Sequence, residues 1–162
     1  GSDTAPPDRF LFGRRFYAPG TERNDRGWND DFGEIYPEGL YRCLRALARF
    51  GKPIYVTESG WADAADSKRP RALLTHVAQM WRAVAEGTPV RGFYHWTLVD
   101  NFEWAEGWKQ RFGLIELDPV TQARQPRLSA TVYADIVRAN GVTRAMVEKY
   151  APEAVEQVFG DA

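Results

Sequence analysis

Residues 54–61 read Ile54-Tyr55-Val56-Thr57-Glu58-Ser59-Gly60-Trp61, a β-favouring run that ends abruptly in a carboxylate. Branched and aromatic side chains suit a pleated, half-buried surface, so the run predicts a strand. Ending a strand in Glu is unfavourable unless the charge has a partner or a task, because a desolvated carboxylate is costly. Side chains alternate along a strand, which predicts Ile54, Val56 and Glu58 on one face. A second run, VRGFYHWTLVD at 90–100, also ends in an acid, Asp100, with Tyr94, Trp96 and Leu98 expected on a common face. Both runs are nearly continuous in apolar residues, the pattern of parallel strands covered on both sides.

Around these runs the periodicity is helical. Pro37 opens a stripe of Leu40, Cys43, Leu44, Leu47 and Ala48 that stops at Gly51. Pro70 opens a second through Leu73, Leu74, Val77, Met80, Trp81 and Val84 to Gly87. A third, from about Ser129, carries Val132, Tyr133, Ile136 and Val137 up to Asn140-Gly141. RFGLIELD at 111–118 reads as a short strand or a hairpin arm, and Ala145 to Phe159 as one helix or two broken at Pro152. Residues 1–36, dense in Pro, Gly, Asn and Asp, predict a long loop.

Helix, strand, helix, strand, helix is an α/β order with a parallel sheet. Two strands cannot form such a sheet alone, and a closed barrel of eight strand-helix units typically needs about 250 residues. Residues 1–141 are therefore expected to be the C-terminal part of a (β/α)8 TIM barrel, about its last two strand-helix units, with 142–162 a helical extension.

Composition narrows the function classes. Lys plus Arg number 21 against 22 Asp plus Glu, for a net charge of -1, so no nucleic-acid partner and no anionic membrane surface is expected. No run approaches the roughly 20 apolar residues of a membrane helix. The single cysteine excludes an internal disulfide and a multi-cysteine metal site; within an apolar helical stripe, Cys43 is expected to be a buried structural thiol. A cytoplasmic protein without metal or cofactor is the expectation. The chain starts Gly-Ser without Met, so targeting is left unread.

In parallel α/β folds, reactive groups gather at the C-terminal ends of strands, where Glu58 and Asp100 are expected. Glu58 can equally be a helix-capping or salt-bridged acid. The stretch 94–118, YHWTLVDNFEWAEGWKQRFGLIELD, adds three Trp and several carboxylates after the second strand. An indole face and a neighbouring carboxylate suit a sugar ring and its hydroxyls. Trp96, Glu103 and Trp104 are candidates for such a site, whereas Phe93, Phe102 and Trp108 are expected to pad the barrel. His76 and His95 read as packed residues.

The two stretches YVTESG and YHWTLVDNFEWAEGWKQRFGLIELD, flanked by EIYPEGL and PRLSATVYADI in the same order, resemble glycoside hydrolase family 1, the β-glucosidase family. The resemblance spans roughly 33–140. It implies a retaining glycosidase in which Glu58 is the nucleophile, Trp96 the platform beneath the glycone, Glu103 the residue holding two glycone hydroxyls, Trp104 an indole donor beside it, and Phe112 an aromatic near the glycone. Ser59 stands where the family has Asn, and Gly33 where bacterial relatives have Trp, with Phe32 a possible substitute on the leaving-group side.

The family takes its acid/base from an Asn-Glu-Pro motif on an earlier strand, and no such motif occurs in this chain. Asp100, Glu106 and Glu116 are poor replacements, the first resembling a structural contact and the others expected in loops. The resemblance thus implies a fragment that acts on a β-glycoside or oligosaccharide only when joined by a complementary N-terminal barrel fragment or by self-association. The alternative is a non-catalytic carbohydrate-binding or scaffold fragment.

Overall fold

The computed structural model describes residues 35–160. Of the loop read over 1–36, residues 1–34, including Phe32 and Gly33, lie outside them. The elements are α1 (Pro37–Ala48), β1 (Ile54–Ser59), α2 (Arg69–Ala85), β2 (Val90–His95), β3 (Ile115–Leu117), β4 (Arg124–Pro126), α3 (Leu128–Ala139), α4 (Arg144–Tyr150) and α5 (Val155–Phe159). Single 3-10 turns occupy Trp104–Glu106 and Pro152–Ala154. β1 and β2 pair in parallel across the α2 crossover, while β3 and β4 form an antiparallel hairpin. These alternating elements with small, open sheets make a partial TIM-barrel-like fold.

The helices form where the apolar stripes predict them, although Leu47, Trp81, Val84 and Val137 of those stripes are exposed. Leu73, Leu74 and Val77 of α2 meet Val132 and Ile136 of α3 and Val147 of α4 in one core, which also takes in Trp61 and Leu114. α3 stops where Asn140 turns left-handed at φ 49°, a conformation that Asn tolerates better than most residues. Thr143 caps α4 by accepting from the Met146 N–H. α1 docks on the C-terminal end of α2, where the Tyr41 hydroxyl donates to Glu86 at 2.6 Å and Arg45 donates to the Glu86 carbonyl at 2.9 Å.

Five expectations are corrected. The β1–β2 sheet is covered on one face only: Phe93 packs on the helical core, whereas Tyr55 and Tyr94 are 56% and 57% exposed. The apolar runs do mark parallel strands, but nothing among the described residues covers their second face. β2 ends at His95, short of Asp100; Val99 makes only an isolated bridge to Ile115. Cys43 is exposed, because α1 turns Leu44 inward and leaves its neighbour outside. Glu116 lies on β3 instead of in a loop, and Phe102 is exposed, touching Trp108 edge-on.

Candidate functional site at the end of the parallel strands

Glu58 and Ser59 close β1. The pairing register slips between Val56 and Ser59, so Thr57 and Glu58 are both exposed while Ile54 and Val56 are half-buried. A local irregularity, not simple alternation, brings Glu58 into the open, which corrects the face assigned to it from the sequence. Pairing then continues past β2, with the Trp96 N–H donating to the Ser59 carbonyl at 3.0 Å. The next residue must be glycine: a Cβ on Gly60 would stand 1.6 Å from the Trp96 carbonyl oxygen.

Beyond Trp96 the chain lies along residues 112–115. Thr97 N donates to Phe112 O, Leu114 N to Thr97 O, Ile115 N to Leu98 O and Asp100 N to Ile115 O, all between 2.9 and 3.2 Å. Asp100 anchors this ladder. Its carboxylate receives both Nη groups of Arg127 at 3.0 and 2.9 Å and the Gly113 N–H at 2.8 Å. Arg127 also donates to the Gly113 carbonyl at 2.6 Å, which ties the ladder to the start of α3.

A second buried cation holds the loop after Glu58. The fully buried Arg69 pairs with Asp66 and donates to the carbonyls of Asp63 and Arg111 at 2.7 and 2.6 Å. Asp63 caps α2 by accepting from Lys68 N and Arg69 N, and Asp66 accepts from Ser129 N at the start of α3. The loops after β1 and β2 are thus bound to each other and to α3 through these bonds, although the Arg69 Nε is buried without a hydrogen-bond partner.

Glu58, Trp96, Glu103, Trp104 and Phe112 line one open cavity of about 560 Å³, together with Ser59, Gly60, Trp61 and His76. Glu103 and Phe112 are only 6% and 1% exposed, whereas Trp104 is 86% exposed. Glu103 is set by a tight turn, its N–H donating to Gly107 O at 2.7 Å, and its Oε2 accepts from the Asn101 amide at 2.8 Å. Behind the cavity Trp61 lies between His76 and His95, with ring centroids 4.3 and 6.2 Å away. Burial pushes both histidines down to about 4, so they stand as neutral rings.

Neither Asp100, Glu106 nor Glu116 lines the cavity. Asp100 is committed to Arg127. The packed reading of His76 is incomplete, since it also lines the cavity. Asn101, Arg69 and Arg127 escaped sequence reasoning. Only Asn101, two residues from Glu103, offered a spacing cue. Among the described residues no group of three or more His, Cys, Asp or Glu could hold a metal ion.

The cavity and its strand-end carboxylate coincide with a family-level match: residues 15–142 fit the description Glycosyl hydrolase family 1. The chain belongs to glycosyl hydrolase family 1. The beta-galactosidase of Pyrococcus woesei is 42% identical over 133 residues, covering 81% of this chain and 26% of that protein. The beta-galactosidase of Sulfolobus acidocaldarius is 49% identical over 114 residues, covering 69% and 23%. The solved beta-glycosidase of the hyperthermophile Thermosphaera aggregans superposes with a TM-score of 0.70 at 44% identity, over 73% of this chain and 25% of that one. The chain spans about a quarter of the length of these relatives.

Proposed function

We propose that this chain is the nucleophile-bearing, C-terminal part of a retaining β-glycosidase, about the last two strand-helix units of its barrel. In the first step a Glu58 carboxylate oxygen bonds to the anomeric carbon while the glycosidic C–O bond breaks and the leaving oxygen takes a proton from an acid outside this chain. Water then cleaves the glycosyl ester, and that same outside group, now a base, takes the water's proton. Such chemistry needs two carboxyl groups about 5–5.5 Å apart, one ionised and one protonated. Trp96 supports the sugar face, Glu103 accepts from two glycone hydroxyls, Trp104 donates beside it and Phe112 closes the wall. The single supporting observation is that these five residues surround one cavity at the C-terminal end of β1.

The completing partner is the N-terminal portion of the barrel, whose strands would cover Tyr55 and Tyr94. Alone, the chain should not turn over an aryl β-glucoside; joined with that portion, it should. Glu58→Gln in the completed enzyme should lower kcat by at least roughly 10^3-fold, and a slow 2-deoxy-2-fluoro glycoside should label Glu58 in the wild type, as read by mass spectrometry of peptides. Turnover that survives Glu58→Gln would sink the assignment. If binding is the only role, the same substitution leaves sugar affinity unchanged in a protein that never showed turnover.

A further inference from the structure

We infer that Asn101 is a positioning residue for Glu103, setting the carboxylate's rotation and with it the enzyme's discrimination among glycones. The inference rests on the glycosidase reading above.

Glu103 is buried, lines the cavity and has no cationic partner among the described residues. A desolvated carboxylate in that state needs hydrogen-bond donors. The protein supplies one, the Asn101 amide at 2.8 Å on Oε2. The remaining acceptor capacity is left for hydroxyls entering the cavity.

The backbone on either side is already fixed. Asp100 is held by Arg127, Gly113 N and Leu117 N, and Glu103 N and O are both engaged in the turn that ends at Gly107. The torsions of the Glu103 side chain are the freedom that remains, and the Asn101 bond removes it. The amide's own orientation supports this reading. Its Oδ1 is buried without a partner, a state that proteins ordinarily avoid. Turning the amide over would set two acceptors face to face, so Oδ1 stays unpaired because Nδ2 is committed to Glu103. A carboxylate locked in this way distinguishes hydroxyls by direction, which separates sugars that differ in the configuration or presence of one hydroxyl.

The test uses the barrel completed with its N-terminal portion. Wild type, Asn101→Asp and Asn101→Ala are assayed on aryl β-glucoside, β-galactoside and β-fucoside, with thermal melting checked in parallel. The Asp variant keeps the shape and loses the donor. Both variants should narrow the spread of kcat/KM among the three substrates by about tenfold, in line with one hydrogen bond to a charged group, chiefly through KM. Loss in equal proportion on all three substrates, or wild-type ratios in Asn101→Asp, overturns the inference and leaves the glycosidase reading standing. Should Asn101→Ala fail to fold, the isosteric Asp variant decides alone. A completed wild type inactive on all three substrates overturns both.

Discussion

His76 and His95 flank one indole and are pushed by burial from 6.5 to about 4. The unfolded chain takes up protons on these rings once the pH drops below about 6.5, and the folded chain does not. Their contribution to stability is therefore full above that pH and is lost as the pH falls towards 4, on the order of 3 kcal/mol each. Urea midpoints compared at pH 7 and pH 4.5 should show the loss, and His76→Gln should remove about half of the histidine share; an unchanged pH slope in that variant contradicts the assignment. At this scale the candidate acids and indoles were legible because their types and spacing form long motifs. Arg69 and Arg127 were not, since charged residues are almost never fully buried and nothing in a sequence marks the exceptions. Nor was Asn101, because an amide beside an acid reads as readily as a turn.

The elements show why Asp100 sits close to the cavity without lining it. It joins the strand-like segment 97–100, the hairpin and α3 through one cation, with side chains 0% and 6% exposed for Asp100 and Arg127. Removing one member of such a pair strands the other charge, so Asp100→Ala should cost about 3–5 kcal/mol. Chemical denaturation measures this directly, and a cost below about 1 kcal/mol would show the pair to be solvated. Helix positions were readable because their apolar stripes keep a period of three to four over several turns, as α2 does. The end of β2 was not, because Trp96 to Val99 is as apolar as the strand before it and only its pairing with 112–115 sets it apart. The direction of Glu58 was likewise hidden, since a register slip arises from partner strands and leaves no mark in local composition.

For the molecule as a whole, the apolar runs signalled parallel strands, but their second face is uncovered among the described residues. Both outer edges of the β1–β2 pair are free among the described residues, and the face bearing Tyr55 and Tyr94 is open. Unpaired edges with exposed aromatics promote association. Sedimentation velocity should show mass rising with concentration for the isolated chain, and mixing with the N-terminal portion should abolish it; a monomer at all concentrations contradicts this picture. The two buried arginines carry a different consequence. Their bonds run from Asp63 and Asp66 to Arg111 and Ser129, and from Asp100 to Gly113, all within one stretch of polypeptide. A genetic crossover falling between residues 63 and 129 would split at least one of these knots, whereas one falling outside would hand on both intact. Exchange among related genes is thereby channelled towards inheriting Trp96, Glu103, Trp104 and Phe112 together, as a single block.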